Sequence, residues 1–234
     1  MTMTINTLEY LKSICPTVSV GLMSADFLNL GHAISSLEKA GVKLLHLDVM
    51  DGNFCPSLTM GPPVIKQLKT SMLLDTHLMI ENPMESLAQY IDAGCRLLTI
   101  PCESSVHNHR TLQLIKELKP DIIRGIALNP GTDISAVEPL LDELEMVVIL
   151  AVNPGWSGQK FIQAVKSKFK NLKSLIKNRK KEILTVIDGG ITLENINEIS
   201  LLKPDIVISG SAIFKGNEIT GNMKLMTDAL RKRI

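Results

Sequence analysis

Two histidines and two aspartates stand near the ends of three apolar runs of the sequence. His46 and Asp48 lie two residues apart in LLHLDVMDG, His77 lies in LLDTHLMIENP, and Asp188 ends the run ILTVID. Singly, a strand histidine is typical of a core and an aspartate after a strand is typical of a helix N-cap. Together the four residues predict a cation site, because burying two carboxylates and two imidazoles in one apolar site is costly unless a cation compensates. The donor set suits Zn²⁺, Fe²⁺ or Mn²⁺ and does not choose among them.

Glycine-containing turns follow the last three apolar runs. They read NPGWSGQ (153–159), DGG (188–190) and SGS (209–211). Glycine lets backbone N–H groups approach a phosphate closely, and the last loops of a strand–helix barrel often hold one. A single turn of this kind would be weak evidence. Three in succession predict a small phosphorylated ligand whose other end reaches the cation.

Eight apolar runs alternate with segments of helical periodicity. The predicted strands are 18–22, 44–48, 73–79, 97–100, 122–128, 146–152, 183–188 and 206–209. The predicted helices include 30–40, which Gly41 closes, together with 112–118, 165–176 and 193–201. Eight strand–helix units predict a single (β/α)₈ barrel over residues 1–234, with a short helix at 5–15 before the first strand. An open doubly wound sheet is the alternative.

The composition excludes several classes of protein. The chain has 25 Lys and Arg against 24 Asp and Glu, for a net charge of +1, and its aromatic content is 3%. We therefore expect no nucleic acid and no membrane among its partners. The chain shows neither a membrane-spanning run nor a signal-peptide pattern, and Cys15, Cys55, Cys95 and Cys102 lack zinc-ribbon spacing. These features predict a cytoplasmic protein with reduced thiols.

Eight segments between Val18 and Phe214 resemble those of ribulose-phosphate 3-epimerases, in the same order. They are SADF (24–27), HLDVMDGNFCPSLTMGPP (46–63), HLMIENP (77–83), HNHRT (107–111), ALNPGT (127–132), VNPGWSGQKFI (152–162), IDGGIT (187–192) and ISGSAIF (208–214). The longest of them is specific to this family and to closely related sugar-phosphate epimerases. The resemblance also implies the (β/α)₈ fold.

The resemblance implies a role for each residue that matches a family motif. The implied metal ligands are His46, Asp48, His77 and Asp188, and the implied acid and base are Asp48 and Asp188. The implied phosphate-binding residues are Gly155, Trp156, Ser157, Gly158, Gly189, Gly190, Gly210 and Ser211. Met50 and Met79 are expected beside the reacting carbons. One divalent ion per subunit is expected, with Zn²⁺ preferred over Fe²⁺, Mn²⁺ or Co²⁺, and the chain is expected to form a homo-oligomer.

Three pocket positions depart from the family pattern. Gly21 stands where the family has a serine that contacts substrate, Pro101 where it has a histidine, and Leu150 where it has a third pocket methionine. The change at Leu150 nearly conserves volume. The lost serine hydroxyl removes a hydrogen bond worth about 0.5–1.5 kcal/mol. We therefore expect intact chemistry, with the identity of the sugar left open.

The expected reaction interconverts D-ribulose 5-phosphate and D-xylulose 5-phosphate, a step of the pentose phosphate pathway. It is a two-base proton transfer through an enediolate stabilised by the metal. An epimerase of another ketose phosphate, such as a hexulose 6-phosphate, is the nearest alternative, and a non-catalytic sugar-phosphate binder is the next. A barrel decarboxylase would need D-x-K-x-x-D, whereas this chain reads DVMD from Asp48. A Schiff-base aldolase would need a lysine at the end of a strand, and Lys43 precedes one.

Overall fold

A closed barrel of eight parallel strands forms the centre of the molecule, in a computed structural model that describes residues 6–177, 179 and 181–232. The strands are β1 (Thr17–Gly21), β2 (Leu44–Met50), β3 (Leu73–Met79), β4 (Leu97–Pro101), β5 (Ile123–Leu128), β6 (Met146–Leu150), β7 (Leu184–Asp188) and β8 (Ile206–Ser209). They follow one another around the ring in chain order, and β1 pairs with β8. The ring confirms the predicted (β/α)₈ barrel and excludes the open sheet.

Helical segments cover the outside of the barrel. They are α1 (Thr7–Ile14), α2 (Leu30–Lys39), α3 (Pro62–Ile65), α4 (Leu87–Asp92), α5 (Asn108–Leu118), α6 (Val165–Ile176), α7 (Ile196–Ser200), α8 (Ser211–Phe214) and α9 (Ile219–Arg231). The main helical segment between β5 and β6 is a 3₁₀ helix, Ile134–Glu143, that contains Pro139, which has no N–H to donate. α1 lies within the helix predicted at 5–15, of which Ile5 is outside the described residues.

Apolar side chains fill two layers, inside the barrel and between the strands and the helices. Alternate residues of a strand point to opposite faces. Leu44, Leu97 and Ile123 point inward and belong to the same buried cluster as Leu11 of α1. α1 therefore closes the barrel at the amino ends of the strands, and the loops after the strands surround the other end.

The end of β2 differs from the prediction. The strand continues to Met50, two residues beyond the predicted end at Asp48. The extension pairs with β3, since Met50 is the register partner of Met79. In addition, Thr59 N donates to Met50 O at 3.2 Å and Met50 N donates to Thr59 Oγ1 at 3.0 Å. β6 differs in the opposite sense and ends at Leu150, before the predicted end at 152.

An ion-pair network lies at the base of the barrel, near the amino ends of β5 and β6. Arg124 is 3% exposed and donates to both carboxylate oxygens of Glu145 at 2.8 and 2.9 Å, and to Glu143 Oε2 at 2.7 Å. Lys181 Nζ lies 3.0 Å from Glu145 Oε1. Each charged group in this network therefore has a protein partner of opposite charge.

The structure also shows where the other histidines and the four cysteines lie. His32, His107 and His109 are exposed. Cys15, Cys55, Cys95 and Cys102 form no disulfide with one another. Across the described part of the chain, none of the helices has the length and apolar character needed to cross a membrane.

Candidate active site at the carboxyl ends of the strands

Four side chains from three strands converge inside the barrel. His46 and Asp48 project inward from β2, His77 from β3 and Asp188 from the last position of β7. Strand register accounts for part of this arrangement, since Asp48 pairs with His77. One ligand atom from each of the four residues can be chosen so that all four atoms lie within 4.8 Å of one another. The structure therefore brings together the four residues predicted to hold a cation.

The imidazole nitrogens face the two carboxylates. His46 Nε2 lies 3.3 Å from Asp48 Oδ1 and 3.9 Å from Asp188 Oδ2. His77 Nδ1 also lies 3.9 Å from Asp188 Oδ2. Asp188 Oδ2 is therefore the point on which both rings converge.

Three of the ring nitrogens have no hydrogen-bond partner within the described residues: His46 Nε2, His77 Nδ1 and His77 Nε2. Both rings are almost completely buried, at 2% and 0% exposure. Buried polar atoms are normally satisfied, and leaving one unpaired costs about 1–3 kcal/mol. A divalent cation accepts imidazole nitrogens and carboxylate oxygens together. The donor atoms therefore fit such a cation.

Burial and mutual contact shift the pKa values of the cluster in opposite directions. Burial raises the pKa of Asp188 to about 7 and lowers the pKa of His77 to about 4. Burial also acts to raise the pKa of Asp48, but the facing His46 outweighs it and lowers that pKa. Burial opposes protonation of His46, yet Asp75 and Asp48 raise its pKa well above the usual value. Strongly perturbed titratable groups grouped in a cleft are typical of functional sites.

Asp75 was not identified from the sequence. It projects inward from β3 and is 2% exposed, and its Oδ2 lies 2.9 Å from His46 Nδ1. The signal was present in the segment DTH, because residues two apart on a strand share a face and Asp75 therefore points the same way as His77.

The cluster lies at the floor of a pocket whose empty space, counted together with its open mouth, is about 850 Å³. Asp48 and Asp188 reach its surface, whereas both imidazoles lie beneath it. The predicted phosphate-binding residues all line the pocket: Gly155, Trp156, Ser157, Gly158, Gly189, Gly190, Gly210 and Ser211. So do the four predicted pocket residues, Gly21, Met50, Met79 and Leu150. Pro101, at the end of β4, is not part of the lining.

Two of these glycines are required by close approach of the backbone. Gly190 has φ +66°, and a Cβ there would lie 2.5 Å from Phe161 N. A Cβ on Gly210 would lie 2.5 Å from Ser24 Oγ and 2.8 Å from Gly21 O. Side chains are excluded at both positions, so backbone forms this wall of the pocket.

Gly21 is a contrasting case. Its φ of −68° is available to any residue, and a Cβ there would meet only Gly210 Cα at 3.5 Å and Gly210 N at 3.7 Å, both ordinary contacts. Neither backbone conformation nor packing therefore requires glycine at this position of the pocket wall.

Sequence comparisons with known proteins agree on one family. A family model described as the ribulose-phosphate 3 epimerase family matches residues 17–214. The chain is 38% identical over 200 residues to a ribulose-phosphate 3-epimerase of Bacillus subtilis (strain 168), covering 84% of this chain and 91% of the other. It is 40% identical over 203 residues to the Helicobacter pylori (strain ATCC 700392 / 26695) protein of that name, covering 86% and 92%.

A solved structure supports the fold independently. The 3-keto-L-gulonate-6-phosphate decarboxylase of Vibrio cholerae superimposes with a TM-score of 0.68, covering 92% of this chain and 97% of the other at 16% identity. At that identity the likeness concerns the barrel alone. The family match runs from β1 to α8 and includes all three strands that carry the cluster, so the chain belongs to the ribulose-phosphate 3-epimerase family.

Proposed function

We propose that the protein is a metal-dependent 3-epimerase that interconverts D-ribulose 5-phosphate and D-xylulose 5-phosphate. The observation that carries the proposal is the convergence of His46, Asp48, His77 and Asp188 at the floor of a pocket walled by backbone glycines. A reacting carbon at the floor and a phosphate at the glycine wall would occupy the two ends of one small substrate.

The four clustered side chains would hold one divalent cation. When bound, the cation supplies positive charge that stabilises the negative charge developing on the substrate oxygens as a proton leaves C3. Two nitrogen and two oxygen donors suit Zn²⁺, which we propose first, with Fe²⁺, Mn²⁺ and Co²⁺ as alternatives.

The two aspartates are the proposed acid and base. Inverting C3 requires removal of its proton on one face and return of a proton on the other, and Asp48 and Asp188 enter the pocket from different strands. Burial raises the pKa of Asp188 to about 7 in the site without a cation, and a bound cation would lower that pKa and keep both carboxylates ionised until one of them takes the C3 proton. Asp48 has a lowered pKa and is therefore ionised at neutral pH, the form that a base needs. In the reverse reaction the two roles exchange.

Other residues would orient the substrate and exclude water. Met50 and Met79 pack with Cys55 beside the aspartates as an apolar cluster, which keeps water from the reacting carbon. The glycine turns after β6, β7 and β8 offer backbone N–H groups to the phosphate. Ser57 Oγ donates to Gly155 O and so ties the loop after β2 to the loop after β6.

Asp188→Asn tests the two-base assignment. The variant keeps the shape of the side chain but cannot take a proton, so epimerisation should fall by about 10²–10⁴-fold. Exchange of the C3 proton with heavy water should be measured alongside turnover, because a non-catalytic binder would incorporate no deuterium in the wild type. Near wild-type epimerisation by Asp188→Asn with cation bound would refute the assignment.

A larger ketose phosphate is a second candidate substrate, and Gly21 is the observation that favours it. A side chain would fit at Gly21, so its absence leaves space between β1 and the glycine wall. Turnover of pentulose 5-phosphates and hexulose 6-phosphates should be compared in the wild type and in Gly21→Ser. A wild-type preference for the hexulose, lost in Gly21→Ser, would replace ribulose 5-phosphate as the proposed substrate.

Two further expectations stay predictions. Light scattering over a range of protein concentrations would test the homo-oligomer, and imaging of the tagged chain would test the cytoplasmic location. Elemental analysis of the purified protein would identify the bound ion.

A further inference from the structure

A buried hydrogen-bonded chain lies behind the cation cluster. Ser19 Oγ, on β1, donates to Asp75 Oδ2 at 2.7 Å, and the same oxygen lies 2.9 Å from His46 Nδ1. Ser19 and His46 are 0% and 2% exposed, and Asp75 is 2% exposed. Asp75 and His46 are register partners on adjacent strands, so the backbone itself sets this contact. Asp75 is not one of the four residues whose ligand atoms converge.

The two nitrogens of His46 face different surroundings. Nδ1 faces Asp75, whereas Nε2 faces Asp48 and Asp188. Asp75 Oδ2 accepts from Ser19 Oγ and faces Nδ1, so the proton of a neutral His46 ring belongs on Nδ1. The lone pair of Nε2 is then directed into the cluster. His77 has no such support, since neither of its nitrogens has a partner in the described residues.

We propose that Asp75, itself oriented by Ser19, is a positioning residue that sets the ring orientation and tautomer of His46 and so presents Nε2 to the cation. This inference rests on the cation site of the proposed function. Outer carboxylates that accept from a ligating histidine typically change metal affinity by about 10–100-fold when removed. Asp75 would act through His46 and would not touch substrate.

Zn²⁺ affinity of the purified full-length chain, measured by competition with a chromophoric chelator, is the first test. Asp75→Ala removes the acceptor and should weaken Zn²⁺ binding by about 10–100-fold. Asp75→Asn keeps an oxygen that can accept from Nδ1–H and should recover part of that loss. Ser19→Ala leaves Asp75 in place without its donor and should have a smaller effect than Asp75→Ala.

Thr76→Val is the matched control. Thr76 is the next residue on β3, fully buried, and its hydroxyl donates to Cys95 Sγ at 3.0 Å on the other face of the strand. The control therefore removes a buried hydrogen bond from the same strand without touching His46. Its Zn²⁺ affinity should equal that of the wild type.

Nitrogen-15 NMR of the Zn²⁺-loaded protein reads the tautomer directly. The wild type should show a proton on His46 Nδ1 that is protected from exchange with solvent, and Asp75→Ala should lose that protection. Wild-type Zn²⁺ affinity in Asp75→Ala, or an equal loss in Thr76→Val, would overturn the role of Asp75 and leave the proposed function standing. A wild-type chain that binds no divalent cation would instead overturn the cation site itself.

Discussion

Two groups of buried and half-buried charged residues occupy opposite ends of this barrel. At the base, Arg124 makes three side-chain hydrogen bonds to Glu143 and Glu145 at 2.7–2.9 Å. At the mouth, His46 and His77 face Asp48 and Asp188 at 3.3–3.9 Å, and three ring nitrogens lack partners among the residues described. The first group is complete as protein, whereas the second has polar atoms that the protein does not satisfy.

The base should contribute mainly to stability and the mouth mainly to function. Removing one partner of a buried ion pair is strongly destabilising, because the other charge is left buried without a partner. His77 has no such pairing to lose within the described residues, so a change there should affect ligand binding and catalysis far more than folding. Substitutions at the base should therefore lower the free energy of unfolding and leave activity unchanged, and substitutions at the mouth should do the reverse.

His77→Leu should produce the largest effect. Leucine fills the buried position without a ligand nitrogen, so cation binding fails and turnover falls by about 10³-fold, equivalent to about 4 kcal/mol of transition-state stabilisation. The free energy of unfolding in a chelator should be unchanged or higher, because two unpaired nitrogens disappear. An epimerisation assay and urea unfolding measure the two effects. Full activity in this variant would show that His77 is not needed for catalysis.

Arg124→Met should give the reverse pattern. Stability should fall by about 3 kcal/mol, near the lower end for a broken buried pair because Glu145 keeps Lys181, while kcat is unchanged. Adding Glu145→Leu should recover part of the loss, because one of the two carboxylates that lost the guanidinium is then removed. A fall in kcat without a fall in unfolding free energy would show that the base is not merely structural.

Removing the cation should destabilise the wild type. Going from a free cation concentration 100 times Kd to excess chelator should lower the free energy of unfolding by about 2.7 kcal/mol. Arg124→Met should show the same decrement and His77→Leu none. Equal decrements in the wild type and in His77→Leu would place the stabilising cation elsewhere.

Acid should weaken cation binding, and the expected change in free energy per pH unit is the smallest of the predicted changes. Burial raises the pKa of Asp188 to about 7, so below that pH a proton must leave before this carboxylate can bind a cation. Well below pH 7 this proton should lower the apparent affinity by about tenfold per pH unit, equivalent to about 1.4 kcal/mol per unit, and His46, whose pKa is also raised, should steepen the fall. Titration at several pH values in the wild type and in Asp188→Asn measures the slope, which should be shallower in the variant. An affinity independent of pH would contradict the proposed ligand.

Much of the mouth could be predicted from the sequence and little of the base could. Asp48 and Asp188 were found because apolar runs mark strands and because the rule for barrels places reactive groups at strand ends. Arg124 lies at the start of a strand on the outward face, and only the folded chain brings Glu143 and Glu145 to it. Its pairing is a tertiary property that no local pattern records.

Asp75 shows a second limit. Its contact with His46 depends on the register between β2 and β3, which apolar periodicity does not specify. Likewise, the extension of β2 to Met50 depends on the register with β3, in which Val49 pairs with Leu78 and Met50 with Met79. The roles assigned to the glycine turns by resemblance stay predictions until a phosphorylated ligand is seen there.

The pairing of β1 with β8 has a consequence for the nascent chain on the ribosome. The shorter path around the ring from Asp48 to Asp188 passes through those two strands. The distance between Asp48 and Asp188 is therefore not fixed by this path until Ile206–Ser209 has left the exit tunnel and joined β1. Activity should therefore arise only after β8 has joined β1, although neither strand supplies a proposed cation ligand.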